Sequence, residues 1–136
     1  MSGILNIAIS GLNDATLRVA NATRNIVNAS STGKLPTNPG DAATSYLPRD
    51  VVTLSVDSDN NNLGVTSVTR PRDPSYVTAY DPSSPDANAQ GLVAAPNVDL
   101  NAELIAAKEG QISYAVNAKV IKIASEMEKS LLDALS

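Results

Sequence analysis

The sequence predicts a mainly α-helical fold in which long N- and C-terminal helices pair, in a coiled-coil-like manner, around a small β insert. Apolar residues recur at helical spacing near both ends of the 136-residue chain, whereas all eight prolines lie between these two stretches. We therefore divide the chain into a first helix over residues 1–33, a polar insert over 34–98 and a second helix over 99–136, and expect the two helices to form one inner domain.

The first helix is predicted over residues 3–30, a length of about 40 Å at 1.5 Å per residue. Gly33 lies just past its end, and Pro36 prevents continuation. The helix has an uncharged amide face, which is unusual for a solvated helix and suggests contacts with other chains. Its apolar stripe follows alternating steps of three and four residues, as in a heptad seam: Leu5, Ala8, Leu12, Ala15, Val19, Ala22, Ile26 and Ala29.

The insert is predicted to begin with a β-hairpin. Residues 50–56 and 64–70 are β-branched runs, and the intervening stretch 57–63 is rich in Asp, Asn and Ser. Residues 76–80 (YVTAY) suggest a third short strand. Because proline fixes φ and lacks an N–H donor, we expect the following Pro-rich stretch, up to Pro96, to be an extended connector without regular structure.

The second helix is predicted to begin after Pro96, with Asn97 or Asp99 as its N-cap, and to run to about Leu135. Gly110 falls inside it and marks either a weak point or a close crossing. Its apolar stripe must be buried against the first helix or against neighbouring chains. The members of this stripe are Ile112, Val116, Val120, Ile123, Met127, Leu131 and Ala134.

The composition excludes most catalytic and metal-binding classes. The chain has no histidine and no cysteine, which removes the usual nucleophile–base pairs and zinc ligands. Asp57 and Asp59 have the spacing of the first ligands of a calcium-binding loop. However, Asn62 stands at the glycine position of such a loop and Val68 at its glutamate position. A net charge of −4 argues against a nucleic-acid partner. We predict no enzyme activity, no metal and no cofactor.

Two classes of function remain after this exclusion. The chain has no Phe or Trp, so a monomer lacks the side chains that bury the largest areas, and stability gained on association is expected. We interpret the chain as a structural subunit of a helical assembly. The alternative is a small helical adaptor or export-chaperone-like binding module, which would fold alone as a stable dimer. No transmembrane segment and no cleavable Sec signal is predicted.

Three stretches carry a resemblance to a known family. Residues 80–99 (YDPSSPDANAQGLVAAPNVD) and 113–122 (SYAVNAKVIK) resemble the segment before the C-terminal helix, and the helix itself, of proximal-rod subunits in the flagellar rod and hook axial protein family. Residues 22–33 (ATRNIVNASSTG) are similar to the ANNIANANTTG signature of that family. The resemblance covers both helices and most of the insert.

The resemblance implies a structural subunit of the proximal rod in the basal body of the bacterial flagellum, a motility organelle. It implies type III export without a cleaved Sec signal, a periplasmic location, and self-assembly and torque transmission through the terminal helices. The implied partners are copies of the chain, other rod subunits, and the membrane-ring and adaptor proteins of the basal body. We predict that the assembly interface contains Leu5, Leu12, Val19, Asn25, Ile26, Asn28, Ile112, Tyr114, Val116, Asn117, Ile123, Met127, Leu131 and Leu135.

Overall fold

The computed structural model describes residues 2–38, 41–56 and 64–135, the side chain of Ser2 excepted. The elements follow the predicted order, with two long helices around two small sheets, and this confirms the predicted fold class. Residues 57–62, which open like a calcium loop, lie outside the described residues, as does the predicted tip of the hairpin. The elements are α1 (Ser2–Val27), β1 (Arg49–Val56), β2 (Gly64–Pro71), β3 (Tyr76–Tyr80), β4 (Leu92–Pro96) and α2 (Leu100–Leu135).

The helix boundaries follow local hydrogen bonding. α1 ends at Val27, three residues before the predicted end, and turn-type bonds such as Ala29 N–H to the Ile26 carbonyl replace the helical pattern. At the start of α2, the Asp99 carboxylate accepts hydrogen bonds from the backbone N–H groups of Asn101 and Ala102, at 2.9 and 3.2 Å. Of the two candidate caps, Asp99 therefore fills the role, because it satisfies donors that have no partner within the helix.

The insert forms two two-stranded sheets, β1–β2 and β3–β4. The second sheet corrects the expectation of an irregular connector, since β4 pairs antiparallel with β3 and sets Tyr76 opposite Pro96 and Tyr80 opposite Leu92. Gly91, with φ of +76°, occupies the left-handed conformation at the turn into β4. The prolines lie in the preceding turn or at the last strand position, so they remove no donor from the middle of the ladder.

The chain divides into two compact units, which are described separately. The first contains Met1–Ala20, Val51–Val68 and Ile105–Ser136, and the second contains Asn21–Asp50 and Thr69–Leu104. In the first unit, the buried apolar residues are the small Ala8, Ala15 and Ala124. In the second unit, they include the fully buried Val93 and Ala94 of β4, whose backbone bridges to Gly33 through hydrogen bonds of 2.9 and 2.8 Å.

Candidate assembly interface

The apolar stripe of α1 lies on the helix face that its own chain covers. Within the first unit, Ala8 and Ala15 are buried, and Leu5, Leu12 and Val19 are half-buried. Within the second unit, Ala22 is buried and Ile26 is half-buried. The alternation of small and larger side chains is typical of a helix packed closely against another helix.

α2 meets α1 through small and polar residues, and Val120 is the half-buried member of its otherwise exposed predicted stripe. In the first unit, a Cβ atom added at Gly110 would lie 2.7 Å from Val19 and 3.1 Å from the Ala15 carbonyl oxygen. Likewise, a Cβ at Gly11 would lie 2.7 Å from the side-chain amide of Asn117. The two helices therefore run antiparallel in this unit, and Gly110 marks a close crossing and not a weak point. Asn117, predicted in the assembly interface, is half-buried against α1.

The large apolar residues of α2 point away from this contact. Ile112, Val116 and Ile123 are each 54–55% exposed. Tyr114, which is 49% exposed, lies instead beside α1 and lines a groove with Ala15 and Val19. Because the helices are antiparallel and Gly11 lies beside Asn117, Ser2 at the start of α1 lies level with about Glu126 of α2. Residues beyond this position therefore extend past the start of α1. This overhang contains the exposed residues Met127, Leu131, Leu132 and Leu135.

Asn25, predicted in the assembly interface, lies inside the second unit. It is fully buried in the second unit, and hydrogen bonds inside that unit occupy both ends of its amide. Its oxygen accepts from the Tyr46 hydroxyl at 3.0 Å and from the Arg49 N–H at 3.2 Å. Its nitrogen donates to the Arg49 carbonyl at 2.9 Å and to Glu103 at 3.0 Å. Asn25 thus has no surface for another subunit. Asn28, half-buried, donates its amide to the Arg24 carbonyl.

An ion pair between the buried Glu103 and the half-buried Arg72 extends this network. Glu103 is only 5% exposed and accepts from Arg72 at 2.7 Å as well as from Asn25. The Arg72 guanidinium also donates to Asp50 and to the Asn97 carbonyl. The hydrogen bond to Asp50 raises the pKa of Arg72. Burial lowers this pKa to a smaller extent, and the hydrogen bond to Glu103 raises it further. Every charge in the cluster has a partner of opposite charge, so the cluster joins parts of the second unit and leaves no reactive group.

A second polar cluster, around Asp14 in the first unit, was not predicted from the sequence. Asp14 accepts hydrogen bonds from Thr53 at 2.6 Å, from Arg18 at 2.9 Å and from Ser67. Its side chain is 12% exposed. Burial raises the pKa of Asp14, but the hydrogen bonds from Ser67, Thr53 and Arg18 outweigh burial and hold the pKa below its ordinary value. The cluster fixes the β1–β2 sheet to α1.

The lowered pKa of Asp14 predicts an acid-sensitive contribution to stability. A depressed pKa in the folded state stabilises the fold above the unfolded-state pKa of about 3.9, and this contribution disappears as pH falls through the folded-state value. Urea unfolding of wild type and Asp14→Asn should therefore show a stability difference at pH 6 that shrinks towards pH 2.5. A difference that does not change with pH would contradict this role of the carboxylate.

An open groove lies on one side of the α1–α2 contact in the first unit. It is lined by Ala15, Thr16, Val19 and Ala20 of α1 and by Gln111 and Tyr114 of α2, and its volume is about 360 Å³. None of the lining side chains carries a charge. Among the described residues, no His, Cys, Asp or Glu cluster is arranged to hold a metal ion, and no described helix is apolar over a length that would cross a membrane.

The long helices thus leave large apolar side chains exposed in this structure. The chain is 32% identical to the flagellar basal-body rod protein FlgC of Agrobacterium fabrum (strain C58) over 144 residues, which cover 99% of this chain and 95% of that protein. The chain belongs to the FlgC family of flagellar basal-body rod proteins.

Two further matches support this family assignment. Residues 89–134 match the family described as flagellar basal body rod FlgEFG protein C-terminal. The FlgC protein of Bacillus subtilis (strain 168) is 33% identical over 73 residues, covering 54% of this chain and 48% of that protein. As a member of the rod family, the chain is a structural component of the flagellar basal body and not an enzyme. It assembles with other axial proteins of the basal body.

Proposed function

We propose that the chain is a proximal-rod subunit that self-assembles, and binds other axial subunits, through the helical surfaces that its own fold leaves uncovered. The observation that carries this proposal is the row of large apolar residues on α2, including Ile112, Ile123 and Leu131, each more than half exposed. Burying one such side chain is worth about 1.5–3 kcal/mol. Neighbouring subunits that cover this row therefore stabilise the helix.

The same proposal includes the path and the mechanical role of the subunit. The chain reaches the periplasmic rod by type III export without a cleaved Sec signal, next to the membrane-ring and adaptor proteins of the basal body. There its two terminal helices form an inner domain that transmits torque between neighbours. The supporting features are the family assignment, the antiparallel α1–α2 contact within the first unit, and the length of α2, Leu100–Leu135.

The overhang supplies a direct test of this proposal. Leu131→Gln should reduce incorporation into basal bodies, and hence motility, by about tenfold or more, because it removes an apolar group that a neighbour covers. Export should persist. Lys129→Gln, two residues away and also exposed, is the matched control and should behave like wild type.

The assay compares the amount of subunit in the culture medium with the amount in isolated basal bodies. If Leu131→Gln is exported and incorporated as well as wild type and the Lys129→Gln control, the overhang is not an assembly contact.

A further inference from the structure

The hydrogen bonds of the second sheet show which side of β3 faces its partner strand. In the second unit, the N–H and C=O of Ala94 in β4 both bond to Gly33, at 2.8 and 2.9 Å. Consecutive residues of an antiparallel strand direct these groups to opposite sides. The two neighbours of Ala94 therefore bond to β3, where Val77 and Ala79 lie opposite them.

The same alternation leaves the outer edge of β3 open. The backbone N–H and C=O groups of Tyr76, Thr78 and Tyr80 point away from β4, and within the part of the chain that the structure describes they form no hydrogen bond at this edge. Thr78 is exposed and Tyr80 is 73% exposed, so a strand from outside can reach the edge. These donors and acceptors extend over about 17 Å at 3.4 Å per residue.

This edge lacks the features that usually prevent strands from pairing with other chains. Natural edge strands commonly carry lysine, proline or a bulge. The strand β3, with the sequence YVTAY, has no charged residue and no proline. Its register with β4 is continuous from Tyr76 to Tyr80, without a bulge. The edge is therefore open to pairing with another extended strand.

The sequence of β3 is nearly symmetric about Thr78, with a tyrosine at each end. When two copies of the strand pair antiparallel about Thr78, Tyr76 of each copy lies opposite Tyr80 of the other, and the two Thr78 residues lie opposite each other. In this register every outward N–H and C=O of both strands has a partner. Aromatic pairs and threonine pairs in directly opposed positions also stabilise antiparallel strands.

We infer that β3 of one copy pairs with β3 of a second copy across a two-fold axis at Thr78. The occupant is a second copy because the edge is complementary to itself in hydrogen-bonding pattern and in side-chain type. An isologous contact of this kind closes at two copies and does not extend. The dimer is therefore a form of the free subunit, in which the unprotected edge is covered before the subunit joins an assembly. This inference goes beyond the proposed function and does not depend on the exposed surface of α2.

A proline substitution at residue 78 tests the inference, because the N–H that proline lacks points away from β4. Thr78→Pro removes both hydrogen bonds at the two-fold axis and should weaken the dimer by about tenfold or more. Thr78→Val keeps the N–H and is also β-branched, so this matched control should dimerise like wild type. The measurement is sedimentation equilibrium of the purified full-length chain over a series of concentrations, with circular dichroism to compare the folds.

Cysteine cross-linking identifies the contact, because the sequence has no cysteine. Opposed residues that exchange hydrogen bonds have Cα atoms about 5.5 Å apart, which is within the range that a disulfide spans. Thr78→Cys should therefore give disulfide-linked dimers on mild oxidation. Tyr80→Cys is the control, since its counterpart in the other copy lies four residues along the strand, about 14 Å away. This variant should stay uncross-linked.

A wild-type chain that is monomeric at every concentration would overturn the inference. A folded Thr78→Pro variant that dimerises as tightly as the Thr78→Val control would do the same, as would Tyr80→Cys cross-linking as efficient as that of Thr78→Cys. If Thr78→Pro does not fold, the cysteine variants decide, because a dimeric Thr78→Cys chain that forms no disulfide is held by another surface. Cross-linking of Thr78→Cys only to a different protein in the flagellated host would show that the occupant is not a copy.

Discussion

Asn25→Ala should destabilise the second unit by about 3 kcal/mol or more. The substitution removes four hydrogen bonds from a fully buried amide and leaves donors and acceptors of Tyr46, Arg49 and Glu103 without this partner. Each buried polar group left unsatisfied costs about 1–3 kcal/mol. The measurement is urea unfolding of the purified full-length chain at one protein concentration, followed by circular dichroism.

The matched control for Asn25→Ala is Asn13→Ala. Asn13 lies on the same helix but is exposed, so its replacement by a better helix former should leave stability unchanged or slightly higher. If Asn25→Ala unfolds at the same urea concentration as the control, the network does not hold α1 to the strands of the second unit.

Gly33→Ala should have a comparably large effect through steric exclusion. A Cβ atom at Gly33 would clash with the backbone nitrogen of Ser45 and would lie 2.5 Å from the carbonyl carbon of Thr44. These are backbone atoms, so they cannot rotate away as a side chain does. The shift would also disturb the paired hydrogen bonds between Gly33 and Ala94. We expect a loss of about 2–3 kcal/mol, at the upper end of overpacking costs.

Gly3→Ala is the control for Gly33→Ala, because nothing lies within 4 Å of a Cβ at Gly3 and the residue lies in α1. Replacing glycine by alanine in a helix is expected to stabilise it by about 0.5–1 kcal/mol. The two substitutions should therefore shift the urea midpoint in opposite directions. A Gly33→Ala variant as stable as wild type would contradict the close approach of residues 33, 44 and 45.

The α1 stripe and the positions of β1, β2 and β3 were predictable because each is a local pattern. The heptad spacing of Ala8, Ala15 and Ala22 places them on one face, and that face is buried. The YVTAY run at 76–80 forms β3 over the predicted residues. The strand β4 was missed because prolines surround it, although Val93 and Ala94 can pair once Gly91 turns the chain.

The face of α2 that contacts α1 was not predictable from hydrophobic periodicity. Large apolar residues dominate that signal, whereas the contact uses Gly110, Asn117 and Ala124, spaced by seven and of modest hydrophobicity. Small side chains allow the two helix backbones to approach closely. Their role depends on their size and not on how hydrophobic they are. The conspicuous stripe at Ile112, Val116 and Ile123 is left exposed. Its burial by neighbouring chains is the interface that we propose.

The burial of Asn21 and Asn25 was also missed, for a related reason. Amides on a helix surface predict contacts with other chains or solvent, but here they form hydrogen bonds to the first residue of β1. Asn21 and Asn25 both donate to the Arg49 carbonyl, at 2.6 and 2.9 Å. Such partners are distant in sequence, and only the fold brings them together.

The most direct test of the account is the accessibility of the α2 surface before and after assembly. Ile123→Cys introduces a single thiol on α2 at a position that is 55% exposed in the isolated chain. A maleimide reagent should label the purified chain rapidly and label the same residue in intact basal bodies far more slowly, with full labelling restored after the basal bodies are denatured. Equal labelling rates in the purified chain and in intact basal bodies that contain the variant would contradict the claim that neighbouring subunits cover this surface.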